Sequence, residues 1–208
     1  VSVPTSGADF TIDNTAPDAP VITSIASDNL INNSEKSTIT VAGTAEAGSL
    51  VTVSLSDGTH TTTAVSQQLS SGNTAYSITI DGSALDDGAI TPSVTATDAA
   101  GNVSSSAVTP TAVKDTVAPT VVLSDDQTDN IVKNGDTVKI TATFTESNAI
   151  NETTTPKITI GSVVTDAVMT ETSNLVWTYE WNVPAGNDGT VNVSITATDA
   201  ASNPNEAA

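Results

Sequence analysis

Apolar and polar residues alternate with a period of two along most of this chain, in short runs separated by turn-forming residues. Val21, Ile22 and Ile25 open the first run, and Ser27-Asp28-Asn29 with Asn32-Asn33-Ser34 stop it. Ile39 and Val41 alternate with threonines, and Val51, Val53 and Leu55 alternate after the Ala45-Glu46-Ala47-Gly48 turn. Ser56-Asp57-Gly58 ends that strand. Strands at Thr61–Val65, Tyr76–Ile80, Ile90–Ala96 and Val103–Val113 bring the expected count to six or seven. The second half repeats the plan at Val121–Leu123, Val138–Phe144, Ile158–Ile160, Val163–Met169, Leu175–Val183 and Val191–Ala197. No segment holds the 3.6-residue period of an amphipathic helix over a useful length. Turn signals about every ten residues predict an all-β chain built from antiparallel sandwiches.

The halves are related by repeated words. Ile12-Asp13-Asn14-Thr15-Ala16-Pro17 returns as Lys114-Asp115-Thr116-Val117-Ala118-Pro119, and Thr95-Ala96-Thr97-Asp98-Ala99-Ala100-Gly101-Asn102 returns as Thr196-Ala197-Thr198-Asp199-Ala200-Ala201-Ser202-Asn203. A spacing of roughly one hundred residues suits one small sandwich domain and is too long for a solenoid repeat. The expected organisation is two tandem immunoglobulin-like antiparallel β-sandwiches, at residues 15–114 and 115–208. Residues 1–14 are expected to end a preceding repeat, with Val1-Ser2-Val3 and Phe10-Thr11-Ile12 as remnants of its last strand. The chain reads as a piece of a repeat array.

Charge narrows the chemistry. Five lysines, no arginine and 24 carboxylates give a formal net charge of −19. Such a balance excludes an electrostatic footprint for nucleic acid or an anionic membrane surface. No apolar run reaches membrane-spanning length, and no signal peptide is present. Cysteine is absent, so neither disulfides nor thiolate metal sites can staple the domains, and oxygen ligands are the remaining staple.

Strand order places the acidic residues. In a seven-stranded sandwich the second-to-third and sixth-to-seventh loops lie at the pole where the chain comes in, and the first-to-second and fifth-to-sixth loops lie at the other. The upstream pole of the first domain is expected to collect Asp13, Asp18, Glu46, Asp98 and Asn102. Its downstream pole collects Asp28, Asn29, Asp86 and Asp87, beside Asp115. In the second domain Asp115, Glu146, Asp199 and Asn203 gather upstream, and Asp125, Asp126, Asp129 and Asp188 gather downstream. Converging carboxylates repel unless a hard cation sits among them, and Ca²⁺ takes six to eight oxygens from flexible loops more readily than Mg²⁺. Asp98 and Asp199 are the preferred ligands, since the same word occurs in both repeats. Asp57, Asp81 and Asp188 are read as turn caps. Pairing Glu146 with Glu46 sets their preceding strands one residue out of phase, so a bulge is required. No sequence-contiguous calcium loop is present.

The Asp-x-Thr-x-Ala-Pro linker, Gly43-Thr44-Ala45-Glu46-Ala47-Gly48 and Ala96-Thr97-Asp98-Ala99-Ala100-Gly101-Asn102 resemble the bacterial immunoglobulin-like repeats of giant surface adhesins. The resemblance covers most of the chain and is strongest in the first domain. The second domain departs from it, with Phe144-Thr145-Glu146 for the glycine-containing turn and Ser202 for Gly101. It implies a monomeric stalk segment, exported by type I secretion to the bacterial cell surface and stiffened by Ca²⁺ within and between domains. The partners it implies are neighbouring repeats of the same chain, with a host or surface ligand bound elsewhere in the full protein.

Catalysis finds little support. His60 is the sole histidine, beside the Asp57-Gly58 turn and expected to face solvent, and no serine has an organised base. The paired carboxylates lie in turns with no cleft implied. The other class considered is a carbohydrate-binding or accessory module of a secreted protein. Trp177, Tyr179 and Trp181 share one strand face and would stack on sugars if exposed, but Leu175 and Val183 on the same face suit a core.

Overall fold

The computed structural model describes residues 10–146, 150, 154–186 and 188–206. Among them every regular element is a β-strand, and the fold is all-β. The chain divides into two compact units, Val1–Ile31 with Glu35–Lys114, and Asn32–Ser34 with Asp115–Ala208. Most of the strand expected in Val1–Ile12 lies outside the described residues; Phe10, Thr11 and Ile12 belong to no strand.

In the first unit β1 (Val21–Ile25), β3 (Ile39–Thr44) and β6 (Ala75–Ile80) form one sheet. The facing sheet has the order β2 (Leu30–Ile31), β8 (Ala112–Lys114), β7 (Gly88–Thr97), β4 (Leu50–Ser56), β5 (Val65–Gln68). All pairs are antiparallel except β2 with β8. The chain changes sheets between β1 and β2, where Ala26, Ser27 and Asn29 all take positive φ. Asn29 stabilises this corner by accepting the Ile25 N–H on its Oδ1 at 3.1 Å, and Asn tolerates the left-handed region better than most residues. Alternation then does the rest. Ile39, Val41, Val51, Val53, Leu55, Ile80, Ile90 and Val94 turn inward to one core.

Register fixes the poles of this unit. Leu50 opposes Thr97, so the turn before β4 and the loop after β7 share one pole. Ile39 opposes Ile80 and Ser56 opposes Thr91, so the loops after β4 and β6 share the other. Two strands differ from the sequence reading. The fifth starts at Val65 and runs through Gln68, because Thr61 makes only an isolated bridge to Ser56. The stretch Val103–Val113 is likewise mostly bridges, with a ladder only at β8.

The second unit packs β13 (Thr170–Ser173), β14 (Val176–Asn182), β10 (Thr137–Thr145) and β9 (Thr120–Asp125) against β12 (Val164–Val168), β11 (Lys157–Ile160) and β15 (Val193–Thr196). The strand β13 is wholly polar and exposed, so it carried no apolar pattern to read. Trp177 and Trp181 are buried among Val138, Phe144, Met169 and Ile195. The aromatic face is core, which removes the exposed stacking platform a sugar would need.

Beyond the linker many counterparts of the two units lie 101 residues apart, which carries Thr95 to Thr196 and Gly43 to Phe144. At Gly43 a Cβ would overlap the Val21 carbonyl oxygen and the Tyr76 hydroxyl. The glycine makes room for Tyr76 Oη to donate to Val21 O at 3.2 Å, and burial pushes this phenol up to about 12. In the second unit buried Phe144 takes the position of Gly43, and Trp177 opposes Ala142 instead. We expect Gly43→Ala to destabilise the first unit by about 1–3 kcal/mol through overpacking. Calorimetry reads that loss, while tryptophan fluorescence, which arises only from Trp177 and Trp181, holds its midpoint. An unshifted first transition contradicts the packing account.

Candidate cation site

The loop after β7 folds around one carboxylate. Asp98 Oδ1 accepts the N–H groups of Ala100 (2.9 Å) and Asn102 (2.8 Å), and Asp98 Oδ2 accepts from Asn102 Nδ2 at 2.8 Å. The same Nδ2 donates to the Asp13 carbonyl oxygen at 3.2 Å. Gly101 turns the loop at φ 93°. The counterpart after β15 is built alike. Asn203 N–H donates to Asp199 Oδ1 (2.8 Å), and Asn203 Nδ2 donates to Asp199 Oδ2 (2.7 Å) and to the Asp115 carbonyl (2.9 Å). Ser202 replaces the glycine and takes φ 73°, so the tertiary setting holds a non-glycine residue in the left-handed region. Each asparagine therefore ties its loop to the aspartate that precedes its own sandwich.

Electrostatically the twins part. Asp98 is half-buried and sits below the ordinary carboxylate range, chiefly through the Asn102 side-chain hydrogen bond. Asp199 is 0% exposed, with Asp115 and Asn203 also buried. Burial pushes its carboxyl up; the charges of Asp115 and Glu146 push the same way, and the hydrogen bonds from Asn203 only partly oppose them. A carboxylate oxygen of Glu146 is itself buried. Asp199 thus feels two further carboxylates of its unit in a dry setting, and hard oxygen donors of this kind suit Ca²⁺. The ligand atoms of these three do not all lie within 4.8 Å of one another; among the described residues that spacing is met by Asp57, His60 and Asp86.

Glu146 and Glu46 are not equivalent. At the 101-residue offset β10 runs in phase with β3, and Glu146 takes the place of Ala45, two positions beyond buried Phe144. No bulge is needed to aim it inward. Glu46 is exposed, and its backbone carbonyl, not its carboxylate, accepts from Ser49. Asp13 and Asp18 are exposed as well, with Asp13 Oδ1 capping Thr15 N–H at 3.0 Å.

Residues 12–116 match the family model described as the bacterial Ig-like domain. The chain belongs to the bacterial Ig-like domain family. A solved structure of a 1.5-MDa bacterial ice-binding adhesin is 21% identical, with a TM-score of 0.51, over 92% of this chain and 63% of that one. A Ca²⁺-stabilized adhesin with which an Antarctic bacterium binds ice is 26% identical, TM-score 0.51, over 92% of this chain and 47% of that one. This bacterial Ig-like chain thus spans less than two thirds of either. No curated protein sequence is similar to it.

At the downstream poles the carboxylates of the bacterial Ig-like units meet donors of the protein itself. Asp28 Oδ1 caps Leu30 N–H. Asp87 pairs at 3.4 Å with the buried ammonium of Lys114, which also donates to Leu85 O. Alternation foretells this lysine, since Lys114 lies two residues after buried Ala112. Asp57 caps its turn, as read from the sequence, by accepting from Thr59 and His60 N–H. It also reaches across to accept Asp86 N–H at 2.6 Å. These backbone donors, His60 first, hold its carboxyl far below the usual range. The His60 side chain is 49% exposed, but its Nδ1 lies 3.2 Å from Asp57 and 3.5 Å from Asp86, a pairing that the sequence reading missed. Asp125 and Asp126 are exposed; the first caps Gln127 N–H and the second accepts from Gln127 Nε2 and Lys139 N–H.

A pH test follows from Asp199. In metal-free buffer the folded second unit keeps a proton on this group at pH values where the unfolded chain has lost it. The contribution of this group to stability therefore falls as pH rises from the ordinary 3.8 through the raised folded value. Asp126 and Asp136, held below the ordinary range, act the other way, so the comparison is with Asp199→Asn: denaturant midpoints by tryptophan fluorescence should fall with pH in the wild type relative to the variant. Parallel pH profiles for the two contradict the assignment.

Proposed function

We propose that this chain is a non-catalytic spacer of Ca²⁺-stabilised repeats from a large bacterial surface adhesin, secreted by a type I route and monomeric. The observation that carries the reading is the buried Asp199 carboxylate, pushed up first by burial and further by the charges of Asp115 and Glu146. An array that places negative oxygens together away from water is unfavourable by itself. A divalent cation reverses the sign. Asp115, Glu146 and Asp199 would hold it, with backbone carbonyls and water completing six to eight oxygens. Asn203 positions two of the three, through its hydrogen bonds to Asp199 and to the Asp115 carbonyl. Asp98, Asn102 and the Asp13 carbonyl form the corresponding, more open arrangement in the first unit.

Support for the spacer role comes from connectivity. Lys114 ends β8 and Asp115 is the next residue, so an ion bound through Asp115 would leave no slack before the second sandwich. Fixing that residue is the step that would stiffen successive repeats. The match to an adhesin described as Ca²⁺-stabilized and the family membership support the same reading. Adhesion itself belongs to a part of the full protein outside this chain. His60 is held by Asp57 and Asp86 in a turn, where no nucleophile is organised.

Metal titration with thermal melting tests the proposal. Calcium at a hundred times its Kd should stabilise the second unit by about 2.7 kcal/mol, raising its tryptophan-monitored melting temperature by roughly 10–20 °C for a domain of this size. Magnesium should do much less. Asp199→Asn should remove most of the calcium response while leaving the first unit's melting unchanged. Equal melting in calcium and in chelator would overturn the reading.

A further inference from the structure

The turn after β4 is fixed by its own hydrogen bonds. Ser56 Oγ accepts the Gly58 N–H at 3.1 Å and donates to the His60 carbonyl at 2.8 Å. The Asp57 N–H donates to the same carbonyl at 3.3 Å. The Asp57 side chain is only 4% exposed, and both of its oxygens are oriented by backbone N–H groups. Oδ1 takes those of Thr59 and His60, and Oδ2 takes that of Asp86 in the loop after β6. The carboxylate is thus ionised and aimed before anything else binds.

Three donor atoms converge beside it. His60 Nδ1 lies 3.2 Å from Asp57 Oδ2 and 3.5 Å from Asp86 Oδ2, and the ligand atoms of all three residues fall within 4.8 Å of one another. The spacings favour one chemistry over another. A charge-assisted N–H···O bond closes to about 2.7–2.9 Å, and both contacts are longer than that. Ligands held about 2.0–2.2 Å from Zn²⁺ at tetrahedral angles stand about 3.3–3.6 Å apart, close to both. The Asp86 N–H uses one lone pair of Asp57 Oδ2, which leaves the other for a cation.

We propose that Asp57, His60 and Asp86 form a transition-metal site suited to Zn²⁺, bound through Asp57 Oδ2, His60 Nδ1 and Asp86 Oδ2 with water in the fourth place. The ring nitrogen sets the selectivity. Ca²⁺ and Mg²⁺ are hard ions that take oxygen, whereas imidazole suits Zn²⁺ and its neighbours in the transition series. Two carboxylates neutralise the ion, and the backbone donors around Asp57 are the outer shell that orients a ligand. The His60 and Asp86 side chains are 49% and 70% exposed, so the ion enters and leaves without unfolding the sandwich. Once bound, it ties the loop after β4 to the loop after β6. The second unit has no counterpart, since its turn after β11 reads Gly161-Ser162-Val163 and His60 is the sole histidine. The site is therefore independent of the calcium reading and confined to the first unit.

A single histidine makes the test direct. In calcium-saturated buffer near neutral pH, Zn²⁺ alone should shift the His60 ring resonances in nuclear magnetic resonance spectra, and further Ca²⁺ should not. In calorimetric titrations Asp86→Asn should weaken Zn²⁺ binding by about tenfold or more, and His60→Gln should remove this event. Asp86→Asn keeps the backbone N–H that Asp57 accepts, so the turn is retained in that variant. Zn²⁺ should also raise the melting transition of the first unit in the wild type and not in His60→Gln. Ring resonances that stay in place in excess Zn²⁺, or that shift equally in Asp86→Asn, would reduce His60 to a lone surface imidazole and overturn the proposal. An equal response to Ca²⁺ would overturn it too.

Discussion

One asparagine side chain in each sandwich does the organising. Asn102 and Asn203 spend a single amide nitrogen on two acceptors, the aspartate four residues earlier and the backbone carbonyl of the aspartate that leads into the domain. That shared donor closes the last loop upon itself and fastens the incoming chain to it. For the buried Asn203 amide either contact left open would cost on the order of 1–3 kcal/mol, and for half-buried Asn102 less. Loop and linker are therefore kept in register together, and the acidic side chains they carry are brought along.

The same clasp yields two electrostatic results because the surroundings differ in access to water. Asp98 keeps solvent near it, so hydrogen bonding dominates and favours the ionised form. Asp199 has lost that solvent, and two neighbouring carboxylates are added to the loss. Glu146 adds to the second case, after burial itself. It occupies an inward position that alanine fills in the first unit, so the repeats have diverged in charge at a site where their backbones agree.

At the other pole of the first unit protein donors meet the negative charge. Lys114 is buried against Asp87, and Asp57 gathers backbone N–H groups from its own turn and from Asp86. Asp28, Asp86 and Asp87 were grouped by topology alone; Leu30 N–H meets Asp28 from two residues away, whereas His60 and Lys114, which meet Asp86 and Asp87, lie far away in sequence.

Strand class, the repeat, and the positions of the two Asp-Asn loops were legible in the sequence, because period-two alternation and repeated words are local signals. Trp177 and Trp181 could be assigned to the core from Leu175 and Val183 beside them. Polar β13 was invisible, since an exposed edge strand has no apolar face to advertise. What only the tertiary structure decided is the phase of Glu146, the burial of Asp199, and the pairing of His60 with Asp57 and Asp86. Each depends on which groups distant in the chain exclude water from a given atom, and solvent exclusion is a property of packed neighbours that no stretch of residues carries by itself.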